Sequence, residues 1–304
     1  MAWQKTIRRA VRTEGVGIHR GEHVHIQLRP APAGTGIVFI REDMGIPIPA
    51  RAENTKDLSY ATTLAVRGAE VGTIEHLMAG LTGMGITNVF IDIDGPEVPI
   101  LDGSALPWVQ LLRRAGVVEQ GVSLPEVRVT QTVRVGDHDR WVELHPATNF
   151  SVDYSVRYDS RAVGQQRFFG PIAPARFASA IAPARTFGFL NEVAALRSRG
   201  LARGGTLDNC VVVDGERILS GSLRFRDEFV RHKVLDLLGD LALLEYPLRA
   251  HVVARKAGHA LHVRLVHELL AHPEVWEFVE PDRVAPFTVR PYAGELQTQV
   301  ALAG

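Results

Sequence analysis

His232, Asp236 and Asp240 recur every four residues in the run EFVRHKVLDLLGDL that begins at Glu228. An α-helix turns once in 3.6 residues, so these three side chains stack along one stripe. Val234, Leu235, Leu238 and Leu241 fall on the opposite side. An imidazole one turn from a carboxylate can grip a single metal ion. A third ligand from elsewhere would leave zinc the open fourth position that catalysis needs. The same spacing also describes a solvated polar face on an amphipathic helix.

Glu75-His76 is the second candidate. Adjacent helical residues point about 100° apart, so His76 could ligate a metal while Glu75 reaches a water beside it. The zinc-hydrolase pattern His-Glu-x-x-His divides the work in the same way but is absent here, and a Glu-His pair also suits a surface helix. His259 sits in a tight turn, Lys256-Ala257-Gly258, that opens a helix; it could serve as a general acid or merely cap the turn. Thr186 could offer a hydroxyl to a developing oxyanion, or be an ordinary strand threonine. Gly15-Val16-Gly17 and Gly204-Gly205 match no phosphate-loop spacing and read as turns.

The elements that must carry these residues are mixed. Residues 23–28 alternate in period two and continue through a Pro/Gly turn into a strand at 37–40. His23 and His25 share one face of the first strand, as partly exposed polar positions. A helix is predicted at 73–81 with Thr73 as its N-cap, then a strand at 88–93 and a helix at 107–115. Strands follow at 127–135 and 141–144, a helix at 191–199, a strand at 211–213 and the His232 helix at 227–244. A strand at 250–254 and a helix at 260–270 close the pattern, and the tail beyond Pro291 is expected to be loosely held.

The order of His-bearing helix, strand, glycine turn and helix occurs near residue 76 and again near residue 232. The predicted fold is therefore α+β, two similar domains from an internal duplication with the active site between them. Residues 118–126 form the expected boundary, giving domains at 1–122 and 123–304.

Composition excludes several classes. The 304 residues are 46% hydrophobic and 22% charged, ordinary globular values. Lys plus Arg balances Asp plus Glu, 34 against 34, so no nucleic-acid partner is expected. The single cysteine, Cys210, rules out an internal disulfide and a cysteine zinc cluster, and suits a reducing compartment. With no signal-like N-terminus and no membrane-length apolar run, the chain is expected to be cytoplasmic and monomeric, with no transmembrane segment.

Taken in order, the candidate residues resemble those of the zinc-dependent UDP-3-O-acyl-N-acetylglucosamine deacetylases of lipid A biosynthesis. The matching strings are GVGIHRGEHV, LRPAPAGTGIVFIRED, TIEHLMAGLTGMGITNVFIDIDGPEVPILDGSALPWV, ARTFGF, LRFRDEFVRHKVLDLLGDL and KAGHAL. The resemblance implies that His76, His232 and Asp236 hold one Zn2+ per chain. It implies that Glu75 is the general base, and that His259 is the protonated partner of the leaving amine, oriented by Asp240. Thr186 resembles the oxyanion hydroxyl, and Lys233 a lysine near the substrate's polar groups.

His19 and Phe187 match positions lining the family's cleft, and Arg140 and Lys256 fall where its basic residues face the nucleotide. Residues 187–213 resemble an inserted strand-helix-strand passage for the acyl chain, with Leu190, Val193, Ala194 and Leu201 as its surface. Asn191-Glu192 and Arg157-Tyr158 depart from the Arg-Asp and Asp-Phe of the pattern. The implied substrate is an acylated UDP-amino sugar. A zinc amidase for another acylated amino sugar and a non-catalytic sugar-nucleotide binder are the alternatives.

Overall fold

The computed structural model describes residues 3–280. The expected loose tail beyond Pro291, and the end of the 123–304 unit, lie outside the described residues. Among the described residues the two largest of five sheets, with the helices packed on them, form the body of the α+β fold. The first sheet runs in the order Val11–Val16, His23–Pro30, Val89–Ile93, Ile37–Arg41, Ile46–Pro49. The second contains Val133–Gly136, Trp141–Pro146, Leu248–Arg255, Ser151–Arg157 and Gln165–Pro171 in the corresponding places. Neighbours pair antiparallel, antiparallel, parallel and antiparallel in both. Glu126–Val129 and Trp276–Val279 widen the second sheet beside the start of Leu248–Arg255. Among the described residues no helix is long and apolar enough to cross a membrane.

Strand alternation sets which side chains enter the core. In His23–Pro30 the inward positions are Val24, Ile26 and Leu28, while His23 and His25 face solvent as expected. His25 is held there by Asp94, with Nδ1 2.8 Å from Oδ2. One apolar core joins both sheets to the helices Glu75–Gly83 and Glu228–Leu241.

In the Glu228–Leu241 helix every residue except Arg231 and Lys233 is buried. Its polar stripe therefore faces protein, and the solvated-face alternative does not hold. The stripe meets the Glu75–Gly83 helix at Gly239. A Cβ on Gly239 would lie 2.1 Å from the Glu75 carbonyl oxygen, so only glycine admits this approach.

Two local expectations need correction. Thr73 is not the N-cap: the helix starts at Glu75 and Ile74 precedes it without a side-chain cap. Thr73 has φ +55 and donates its hydroxyl to Glu97 Oε1 at 2.8 Å. That carboxylate also takes the amides of His19 and Arg20, so a tertiary bond outcompetes the cap. Residues 127–135 make two strands rather than one. The Thr130 amide turns aside to the Val275 carbonyl, and the two pieces pair with different neighbours.

Residues 187–213 do form strand, helix and strand: Phe187–Phe189, Leu190–Ser198 and Val211–Asp214. The two strands are parallel, with Phe187 opposite Val211.

The Gly239 contact generates the first prediction. Gly→Ala in an exposed helix stabilises by up to about 1 kcal/mol. Here Gly239→Ala should instead destabilise by about 1–3 kcal/mol through overpacking, seen as a lower urea midpoint at unchanged slope. An unchanged or raised midpoint contradicts the close crossing.

Candidate active site

The crossing brings His76 from one helix to His232 and Asp236 on the other. One ligand atom from each lies within 4.8 Å of the other two. Asp236 Oδ1 is 3.2 Å from His232 Nε2 and 3.8 Å from His76 Nε2, and all three side chains are almost fully buried. His232 Nδ1 lies 3.1 Å from the Ala184 carbonyl, an acceptor only, so Nδ1 carries the proton and Nε2 presents a lone pair. Asp236 Oδ1 has no hydrogen-bond donor.

Lone pairs of two imidazoles and a carboxylate thus face one another in the interior, an arrangement that a cation relieves. Tetrahedral zinc with ligands at about 2.0–2.1 Å sets them about 3.3 Å apart, close to the distances observed here. The residues fit such an ion. Burial pushes His76 down to about 3 and lowers His232, so both stay neutral as ligands must. Burial raises Asp236, but the positive charges around it, those of Lys233 and His259, outweigh it and hold the carboxyl far below its usual range.

Glu75 and His259 flank this cluster. Burial pushes the Glu75 carboxyl up to about 7; His259 opposes the rise, and Asp236 and Asp240 add to it. Glu75 Oε2 accepts the Thr62 amide at 3.0 Å. His259 begins its helix, with Nδ1 2.8 Å from Asp240 Oδ2 and Nε2 4.0 Å from Asp236 Oδ2. Burial alone would lower His259, but Asp240 overrides it and the imidazole is raised to about 9. A carboxyl poised near 7 beside an imidazolium stable to about 9 can take one proton and supply another.

These groups line a cleft of about 1110 Å3. Thr186, Phe187, Lys233, Arg140 and Lys256 line it too. Thr186 is set by its backbone N–H, which donates a hydrogen bond to the Gly103 carbonyl at 2.7 Å. Lys233 Nζ donates to Asp236 Oδ2 at 2.7 Å and lies 5.7 Å from the centre of the Phe187 ring. Lys256 Nζ reaches Asp139 at 2.7 Å.

His19 and Leu201 do not line this cleft. The turn after Leu201 packs on the His19 loop, with the Arg203 amide 3.1 Å from the His19 carbonyl. Burial depresses His19, and its Nδ1 is buried without a partner.

The family model for UDP-3-O-acyl N-acetylglycosamine deacetylases matches residues 4–271. Curated relatives bear the name UDP-3-O-acyl-N-acetylglucosamine deacetylase. The one from Acidithiobacillus ferrooxidans is 45% identical over 294 residues, spanning 95% of this chain and 97% of its own. The Myxococcus xanthus protein is 46% identical over 283 residues, 92% and 90% of the two chains. The Pasteurella multocida protein is 41% identical over 308 residues, 99% and 100%. This chain belongs to the UDP-3-O-acyl N-acetylglycosamine deacetylase family.

In this member of the deacetylase family, three site residues escaped the sequence reading. Thr62 joins the two flanks: its amide holds Glu75, and its hydroxyl donates to Asp240 Oδ1 at 2.5 Å. Nothing in the sequence points to it. His262 places Nδ1 2.8 Å from Asp240 Oδ2. Its spacing of three from His259 puts both on one helix face, a signal that was there to use. Tyr154 lies 3.0 Å from His262 Nε2, far away in sequence.

Proposed function

We propose that this protein is a zinc-dependent hydrolase. It removes the N-acetyl group of UDP-3-O-[(3R)-3-hydroxyacyl]-N-acetylglucosamine, giving acetate and the free amine, in cytoplasmic lipid A biosynthesis. The observation that carries the reading is the convergence of His76, His232 and Asp236 beside Glu75 and His259 on one cleft wall. The names of the relatives supply the substrate class. A zinc ion held by the three ligands would polarise the acetamide carbonyl and acidify a water.

The chain's own groups do the rest. Glu75 accepts the proton of the water that adds to the carbonyl carbon. The Thr186 hydroxyl donates to the carbonyl oxygen as negative charge grows there. His259, held charged by Asp240, passes its Nε2 proton to the departing nitrogen as the C–N bond breaks. Lys233 fixes polar groups of the sugar, and Arg140 and Lys256 offer positive charge to the diphosphate.

The acyl chain is assigned to residues 187–213. Tyr158, Phe187 and Phe189 form an aromatic cluster, with Phe187 6.3 Å from the His232 ring and 5.6 Å from Tyr158. The Leu190–Ser198 helix beyond it has no buried residue, and Leu190 is 43% exposed. Apolar surface left uncovered next to the cleft suits a hydrocarbon ligand. We infer too that the two units, divided near residue 122, arose by duplication; the shared strand-pairing scheme supports this.

Two predictions follow from these assignments. Glu75 must be ionised and His259 protonated, so turnover should rise as pH passes about 7 and fall as it passes about 9. A bound cation moves the acid limb lower. Glu75→Ala should keep its metal and lose roughly 100-fold or more in kcat; near-normal turnover would place the base elsewhere.

The test of substrate is a direct comparison of 3-O-acylated and non-acylated UDP-N-acetylglucosamine. The acylated compound should react far faster, because remote binding energy positions the acetamide. Leu190→Glu should penalise the longest acyl chains most. Equal efficiency on both compounds would favour an amidase for another amino sugar.

A further inference from the structure

His262 and Tyr154 are fully buried polar residues to which the proposed chemistry gives no task. Asp240 Oδ2 stands 2.8 Å from His259 Nδ1 and 2.8 Å from His262 Nδ1, while Oδ1 accepts the Thr62 hydroxyl. A carboxylate facing Nδ1 at that distance requires a proton on it, so both imidazoles donate to the same oxygen. Tyr154 Oη lies 3.0 Å from His262 Nε2 and donates to the Ala257 carbonyl at 2.8 Å or to that nitrogen. Ala257 belongs to the turn that leads into His259.

We infer that His262 is a positioning residue for the reaction proposed above, acting through Asp240 on His259, with Tyr154 as its anchor. The carboxylate torsion of an aspartate is soft and roughly two-fold, so nothing intrinsic fixes its plane. Thr62 holds one oxygen, and His259 must itself be free to exchange protons with substrate. His262 is the donor that holds the second oxygen throughout. With it in place, His259 keeps its Nδ1–H on Asp240 and its Nε2 toward the cleft. A leucine of similar bulk would fill the space without burying a polar ring, so packing alone does not call for histidine.

The test uses metal-loaded full-length protein and a 3-O-(3-hydroxyacyl) UDP-N-acetylglucosamine. His262→Leu should lower kcat about 10-fold or more, the scale typical of residues that orient a catalytic group. KM should stay within about twofold and metal content should be unchanged. His262→Asn, whose amide can still donate to Asp240, should recover most of kcat. Tyr154→Phe should lower kcat alone but add little on top of His262→Leu, the non-additivity expected of one network.

Independently of turnover, the low-field His259 Nδ1–H proton resonance should shift or broaden in His262→Leu. Wild-type kcat with an unmoved resonance in His262→Leu overturns the proposal. So does a kcat loss that His262→Asn does not relieve and that tracks lost metal. If the wild-type protein leaves this substrate intact, the functional reading fails instead, and the resonance still decides the role of His262.

Discussion

The close crossing of the Glu75–Gly83 and Glu228–Leu241 helices is the constraint on which the rest of the structure depends. The missing side chain at Gly239 lets the second helix meet the backbone of Glu75. His76 then faces His232 and Asp236, although it lies far from them in sequence. The same contact sets Glu75 beside the cluster, because Glu75 and His76 are adjacent at the start of one helix. Arg185 and Glu228 brace the other end. Arg185 Nε donates to Glu228 Oε1 at 2.8 Å, and the neighbouring Ala184 carbonyl orients His232 while Thr186 turns into the cleft.

Concentrating charge this deep in a protein is unfavourable by itself. Buried carboxylates and imidazoles lose hydration that hydrogen bonds only partly replace. The cluster answers by pairing each charge with a partner: Asp240 with His259, Asp236 with Lys233 and, when bound, a metal. The Glu75 carboxyl stands apart, with the Thr62 backbone amide donating to it. Desolvation accordingly dominates its behaviour and lifts it toward neutrality. The group with the fewest charge partners is thus the one best poised to exchange a proton.

The four-residue spacing of His232, Asp236 and Asp240 was legible in the sequence, and so were the order of helices and strands and the strand, helix and strand within residues 187–213. The environment of the stripe was not, because periodicity is the same for a face turned to solvent and one turned to another helix. Thr62 and Tyr154 had no local signal, since their roles come from contacts across the chain. Thr73 looked like a cap but was drawn to Glu97, a tertiary partner that propensity does not see. The packing of the turn after Leu201 on the His19 loop is a contact across the chain of the same kind, with no local signal.

Zinc K-edge X-ray absorption on the purified, zinc-loaded protein tests the central claim most directly. Two imidazole nitrogens and one carboxylate oxygen at about 2.0–2.2 Å are expected, with the imidazole signal falling to one ring in His76→Ala and in His232→Ala. A spectrum with sulfur in the shell, or one that neither substitution alters, would contradict a metal centre built where the two helices cross.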